Sequence, residues 1–341
     1  MKRCDPAVSL FFCGDAVIHE SVYTDAMRED GSFDFDKQLH FIKDIIRPYD
    51  LRYYNQETIL GGRDLGLSGY PTFNSPTEFG DYMAELGFNL VSTSTNHSLD
   101  MGFEGIRNSS AFFHRHPEIL MSGTAVSPEE KDTIPSMTVN GIRIAFLAWT
   151  GFLNYLVPEY PFEVNFYPGH EEEMLGMIRR AKSENDAVIL ALHWGIEYSS
   201  TPDEAQRALA RQCIEAGADL IIGNHVHVIQ PLEIIDGVPV FYAMGNLISS
   251  QLNTENLLSM IGGLDLVLKE ENGRRRISLE NLRADFLYTD MKGTYPALRT
   301  DIRVLPFSKL NDAILPGYRE IRNKLEAHVN SMGANLSFGG V

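Results

Sequence analysis

Residues 219–227 read DLIIGNHVH, an apolar run that breaks at Gly223 and Asn224 and then presents His225 and His227 one residue apart. Asp219–Ile222 has the unbroken apolar character of a strand covered on both faces. Two histidines at this spacing in a turn can reach one site, and neutral imidazole is the commonest metal ligand. The same pattern, an apolar run closing on polar side chains, recurs along the chain. Val8–Cys13 runs into Gly14 and Asp15, Leu51–Asn55 into Glu57, and Asn89–Thr93 into Asn96 and His97. Ala187–His193 closes on a histidine, and Val240–Met244 runs into Gly245 and Asn246. Arg143–Trp149 and Leu264–Leu268 complete eight expected strands.

Helical patterns lie between them. Asp36–Ile46 puts Leu39, Ile42 and Ile46 on one stripe, and Glu78–Leu86 follows a Ser-Pro start. His170–Lys182 carries Met174, Leu175 and Ile178, and Pro202–Ala216 stops at Gly217. Alternation of this kind predicts an α/β domain. In open α/β sheets, ligands bind at the carboxyl ends of the strands, where each of the polar groups above falls. Taken singly, each has an ordinary reading: Gly14–Asp15 a helix cap, Glu57 a surface residue, His193 a satisfied core histidine. Their convergence on one rim points to chemistry. The remaining histidines, His19, His40, His114, His116, His170 and His328, lack this setting.

Gly61–Pro76 reads as a surface loop near the site. The aromatic segment Asn154–Gly169 fits either a packed connection or a flap facing the substrate. From Glu270 onward the pattern loosens: Asn272–Gly273 marks a hairpin turn, Ile277–Tyr288 a strand pair, and Pro316–Ser331 a terminal helix.

Composition narrows the function. Forty-six acidic side chains against 29 Lys and Arg leave a formal charge of −17, a field that repels polyanions and argues against nucleic-acid binding. Three cysteines, Cys4, Cys13 and Cys213, without paired spacing argue against a disulfide framework or a thiolate zinc site. No apolar run approaches the roughly 20 residues of a membrane helix. Lys2 and Arg3 ahead of Val8–Cys13 are too brief for an export signal. The sequence as it stands is therefore read as cytoplasmic, with export or membrane association expected if an export sequence was removed ahead of it. A set of carboxylate, amide and imidazole donors suits one or two divalent ions, Zn²⁺, Mn²⁺ or Fe²⁺. A bridging carboxylate can hold two ions about 3.5–4 Å apart, and a histidine just outside them can protonate a leaving group. Ligand imidazoles bind only when neutral, so metal affinity is expected to fall through the histidine range.

The ordered set Gly14–Asp15, Asn55–Glu57, Thr95–Gly102, His193–Tyr198, Gly217–Asp219, Gly223–His227 and Met244–Asn246 resembles the CapA capsule-synthesis proteins. That family is associated with poly-γ-glutamate and is similar to the calcineurin-like metallophosphoesterases. The resemblance implies a four-layer αββα sandwich of two mixed sheets. Eight strands also fit a TIM barrel, but metallohydrolase barrels carry a His-x-His pair on the first strand, and here it follows the sixth. One domain over 1–341 is expected, with 270–341 as a C-terminal extension packed on it. The resemblance implies Asp15 as a ligand of one ion, Glu57 as the bridging carboxylate, Asn96, His193 and His225 as ligands of a second, and His227 returning to the first. It implies that His97 contacts the substrate or leaving group. Val17 stands where phosphoesterases carry a further histidine, which leaves the first position with Asp15, Glu57 and His227. Asn224 replaces another histidine, and Glu197 adds a carboxylate that can bind metal or act as a catalytic base. The function implied is a metal-dependent hydrolase of capsule or cell-envelope polymer metabolism. It would act on an anionic polymer or small molecule, alongside other capsule-synthesis proteins. A metallophosphatase or phosphodiesterase, and a scaffold subunit with a degenerate site, stand as alternatives.

Overall fold

The computed structural model describes residues 5–271, 274–293 and 298–341. In chain order the strands begin with β1 (Ala7–Ala16), β2 (Leu51–Gln56), β3 (Leu90–Ser92), β4 (Leu120–Ser122) and β5 (Ser136–Val139). Then come β6 (Ile142–Thr150), β7 (Ala187–His193), β8 (Leu220–Asn224), β9 (Leu232–Ile235) and β10 (Val238–Phe241). The chain closes with β11 (Asn246–Ile248), β12 (Leu258–Glu271), β13 (Arg274–Lys292), β14 (Thr300–Pro306) and β15 (Ser337–Phe338).

They form two mixed sheets. The first runs β14-β13-β12-β1-β2-β3-β4, with β11 beside β1 and β15 beside β13. Strands β1 to β4 are parallel, and β12, β13 and β14 are antiparallel additions. The second runs β5-β6-β7-β8-β10-β9, parallel from β6 through β10 with an antiparallel strand at each edge.

Period-two alternation sorts side chains between layers. Val8, Leu10 and Phe12 of β1 meet Ile144, Phe146, Ile189 and Ile222 of the other sheet. Ring pairs span this seam, Phe12 with Phe241 at 4.8 Å and Tyr53 with Phe146 at 5.7 Å. On the outer face of the first sheet, Phe11, Cys13, Tyr54 and Val91 pack on Leu39, Ile46, Phe79 and Phe112 of helices. On the outer face of the second, Leu147, Val188, Leu190 and Ile221 pack on Met174, Ile178, Ala210 and Cys213. The result is helix, sheet, sheet, helix, as expected and not a barrel.

Helix Glu204–Ala216 starts on a capping box between Asp203 and Gln206 and stops at Gly217, whose φ of 119° suits glycine. Asp36–Ile46 is two short helices joined by a 3₁₀ turn at His40–Ile42. Helix Gly102–His114 ends where His114–Pro117 reads in the sequence as an exposed helix end, while its start at Gly102 was not expected. Ile277–Tyr288 is not a strand pair: it lies within the single strand β13, which runs antiparallel to β12 with one break in register between Gly263 and Asp265. Long cross-strand pairing overrides its broken apolar pattern, because one face of β13 is only partly covered. The Asn272–Gly273 turn and Cys4 lie outside the described residues. Helix Tyr318–Val329 matches the terminal helix, and Phe307, Leu315, Val329 and Leu336 enter the inter-sheet core. Among the described residues no helix is long and apolar enough to cross a membrane.

Both sheets deliver their parallel strand ends to one edge. In register, Asp15 stands beside Asn55 on one side and Asn246 on the other, and His193 stands beside Asn224.

Candidate metal centre

Glycine lets the backbones close at this edge. A Cβ on Gly14 would lie 1.8 Å from the Gly245 carbonyl oxygen, and one on Gly223 would lie 1.9 Å from that of Tyr242. The Asp15 N–H donates to the Gly245 oxygen at 3.0 Å. Beyond β8 the chain zigzags: His225 (φ 94°) and His227 (φ 61°) both lie in the left-handed region, rare for side-chain-bearing residues. Neighbours hold this conformation. The His225 N–H donates to Asp15 Oδ2 at 3.1 Å, the Tyr198 N–H to the Val226 oxygen at 2.8 Å, and Asn256 Nδ2 to the His227 oxygen at 3.1 Å.

Two neighbouring groups of donors result. Asp15, Glu57 and His227, all buried, place ligand atoms within 4.8 Å of one another and could hold a metal ion. His227 Nε2 lies 3.5 Å from Glu57 Oε1, and its Nδ1 lies 3.8 Å from Asp15 Oδ2. Beside them, His193 Nε2 lies 2.9 Å from Asn96 Oδ1 and 3.1 Å from His225 Nδ1. Asn55 Nδ2 joins the two groups, donating to Asp15 Oδ1 at 2.8 Å and standing 3.4 Å from His193 Nδ1.

Hydrogen bonds orient these side chains. Asn246 Nδ2 donates to Ser249 Oγ, Gln251 Oε1 and the Asn256 oxygen, so its Oδ1 faces His227 Nδ1 at 2.9 Å as an acceptor. His227 therefore carries its proton on Nδ1 and turns the Nε2 lone pair toward Glu57. Asn96 Nδ2 donates to Asn154 Oδ1, which aims Asn96 Oδ1 at His193.

The electrostatics ask for a cation. Burial holds Asp15 above the ordinary carboxylate range in spite of its donors Asn55 and the His225 N–H. Burial, and then the charge of Asp15, push Glu57 up further. Both Glu57 oxygens are buried without a hydrogen-bond partner among the described residues, an arrangement that costs several kcal/mol for an anion left alone. Burial also drives the imidazoles down, His225 to about 3, His227 to about 4 and His193 well below its usual range. These rings are neutral, the form that binds metal. Oxygen and imidazole donors without thiolates fit a divalent ion.

Glu57, Asn96 and His227 of the centre line a cleft of about 980 Å³, with Asp15, His193 and His225 behind them off its wall. His97 lines it; its Nδ1 donates to Asp100 Oδ2 at 2.7 Å, which leaves Nε2 as the lone-pair nitrogen. Asp100 Oδ2 also accepts the Phe73 N–H at 2.6 Å. Glu197 lines the cleft from an exposed position, and its charge helps raise Glu57. Val17 lines it as well, where phosphoesterases carry the extra histidine. Asn154 and Leu156 border the cleft, while Tyr160 and Phe162 pack on Phe103, so the aromatic segment is rim at one end and packed connection at the other. Asn224 takes no part in the cleft: its Nδ2 donates to the Tyr53 hydroxyl at 2.8 Å between the sheets.

Several cleft residues escaped sequence reasoning. His19, set aside there, lines the cleft with its ring edge-on to Phe73. A signal existed, since it follows Asp15 by four residues on the same strand exit. The orienting role of Asp100 was readable from its spacing of three from His97. Arg299, remote in sequence, carried no signal.

A model of the bacterial capsule synthesis protein family PGA_cap matches residues 9–251. The chain belongs to this family. It is 32% identical over 170 residues to the PGA biosynthesis protein CapA of Bacillus subtilis, covering 50% of this chain and 44% of that one. It is 30% identical over 174 residues to the capsule biosynthesis protein CapA of Bacillus anthracis, covering 49% of this chain and 41% of that one. The chain thus spans less than half the length of these relatives. The crystal structure of the calcineurin-like phosphoesterase YfkN from Bacillus subtilis superposes with a TM-score of 0.51 at 15% identity, over 94% of this chain and 98% of that one. The fold is that of the metallophosphoesterases.

Proposed function

We propose that this PGA_cap protein is a metal-dependent hydrolase acting on an anionic cell-envelope polymer of the poly-γ-glutamate type. The observation that carries this reading is the Glu57 carboxylate, buried with both oxygens unpartnered between Asp15 and His227. A fold keeps such a group when a cation completes it. The names of the capsule and PGA relatives supply the substrate class. Asp15, Glu57 and His227 would hold one divalent ion, and Asn96, His193 and His225 a second. Such ions supply Lewis acidity at the scissile carbonyl or phosphoryl oxygen and acidify water.

The chain's own residues do the rest. His97 Nε2 takes a proton from the attacking water as its oxygen bonds to carbon, and passes that proton to the leaving nitrogen as the C–N bond of a γ-glutamyl amide breaks. Asp100 holds Nδ1–H and stabilises the charged ring. Asn246 keeps His227 in one tautomer.

Protein prepared without chelators should carry about one or two divalent ions, lose hydrolysis of tri-γ-glutamate on chelation, and regain it on metal return. Metal-loaded protein that leaves tri-γ-glutamate intact but cleaves bis(p-nitrophenyl) phosphate would replace this reading with the phosphodiesterase one. The paired donor groups favour that as the second reading. Protein that takes up no metal would support a scaffold role instead.

A further inference from the structure

The molecule carries a net charge of −17, and its cleft is lined by Glu20, Glu57, Asp100 and Glu197. An anionic chain entering this field meets repulsion everywhere except where a cation stands. Among the described residues lining the cleft, Arg299 is the one Lys or Arg.

Its surroundings differ from those of the arginines that pair with carboxylates. Arg28, Arg63, Arg180, Arg275 and Arg322 each pair with a carboxylate. Arg299 is 8% exposed and forms no ion pair among the described residues. The hydrogen bond its side chain does make there, Nη1 to Met291 Sδ at 3.3 Å, uses a weak acceptor. A guanidinium has five N–H donors in a fork matched to carboxylate or phosphate, and most of those of Arg299, a residue that lines the cleft, have no partner among the described residues.

The position is fixed by backbone contacts. The Arg299 N–H donates to Ser21 Oγ at 3.0 Å, and the Asp25 carboxylate accepts the N–H groups of Asp301 and Ile302 at 2.8 and 3.2 Å. The strand β14 is thereby tied to helix Glu20–Ala26, just past Asp15. The charge of Arg299 reaches the His19 ring, which burial first, and then His97 and Arg299, hold down to about 4. Around the same mouth stand exposed apolar side chains, Tyr70, Leu156, Tyr198, Leu252 and Leu298. Cation and apolar rim together suit a chain that alternates short aliphatic segments with oxyanions.

We infer that Arg299 anchors an oxyanion of the substrate chain away from the bond being cleaved, and so sets the preference for anionic polymers. This rests on reading the cleft as the substrate site of a hydrolase. Arg299 lies outside residues 9–251, so the recognition comes from a part of the chain that the family model does not match.

Binding by the full, metal-loaded chain is measured by calorimetry with three probes: tri-γ-glutamate, its carboxamide analogue and a glycerol phosphate trimer. Wild type should bind tri-γ-glutamate at least tenfold more tightly than R299Q, with metal content unchanged and the carboxamide analogue bound equally weakly by both. Because loss of a buried guanidinium can disturb the fold, R299M, which keeps an aliphatic stem, is run beside it and should show the same loss. R319Q removes one charge from an exposed site and should bind as wild type does. The same pattern on the glycerol phosphate trimer alone would uphold Arg299 as the anchor and overturn the glutamyl reading of the substrate. Equal affinities for wild type and the folded R299Q or R299M proteins would overturn the inference, as would a wild type that binds neither chain.

Discussion

Glu57 concentrates the physics of the centre, because its carboxylate is buried, unpartnered and faces Asp15. Without metal, folding raises its pKa, so its ionisation removes stability as pH climbs from the ordinary carboxylate range through the folded value. Metal-free Glu57→Gln should therefore be more stable than metal-free wild type at pH 8, by at least about 1 kcal/mol, and lose that advantage near pH 4.5. Urea denaturation in EDTA at the two pH values checks this; a variant less stable at pH 8 would mean that Glu57 has a partner in solution. The same directions relocate the expected acid sensitivity of metal binding. His225 and His227, at about 3 and 4, take up protons only in strong acid, whereas Asp15 and Glu57 compete for protons well above that range. Metal affinity should thus already weaken as pH falls from 8 to 6, with proton release on binding, which titration in buffers of different ionisation enthalpy measures. At His97 the expectation is kinetic. His97→Asn should keep its metal and slow turnover roughly 10²–10⁴-fold on substrates whose leaving group needs a proton, and less on activated ones. Equal losses on both, with a lowered Tm, would make His97 a structural partner of Asp100.

Elements explain why the ligands meet. Gly14 and Gly245 bring β1 against the start of β11, and a methyl group at Gly14 has backbone, not a flexible side chain, in its way. Asn246, the first residue of β11, then reaches His227. Asn246→Ala should free the His227 ring and lower metal affinity about 10–100-fold while leaving the fold intact, the usual cost of losing the group that orients a ligand. Unchanged affinity by competition titration would show that the tautomer is held otherwise. The strands bearing the site were legible because each is a central, doubly covered run: Ala187–His193 is reproduced to the residue, and Leu51–Asn55 differs by one. The strands that were not legible are edge or short pieces. β4, β5, β9 and β15 have two to four residues, too few for a period to emerge. β13 pairs from Arg274 to Tyr288 with a partner it follows directly, yet partial cover on one face blurs its apolar pattern. The donor groups were readable because each closes a strand. Arg299 was not, because what makes it notable is the absence of a carboxylate in three dimensions.

At the scale of the whole molecule, the C-terminal residues bear on both stability and the cleft. β13 covers the open edge of the 14-residue strand β12, and β14 extends the sheet beyond it. Phe286, Leu305, Phe307, Val329 and Leu336 bury their side chains in the seam between the sheets. Each large apolar side chain taken from water contributes about 1.5–3 kcal/mol, so removing several approaches the whole 5–15 kcal/mol by which a folded chain is stable. A chain cut after Lys269 should then fail to give a cooperative unfolding transition. It would also leave an unpaired apolar edge on β12, which favours aggregation. The intact chain should unfold in one transition, and metal should raise the midpoint of that whole transition, since an ion bound only to the folded state stabilises everything coupled to it. If 270–341 were instead an independent extension, the shortened protein would melt cooperatively with unchanged metal content and lose only the oxyanion preference assigned to Arg299. Calorimetric scans of both chains, with and without metal, separate the outcomes: two resolved transitions in the intact chain, with metal shifting one alone, would show that the strands after Glu271 form a separate unit.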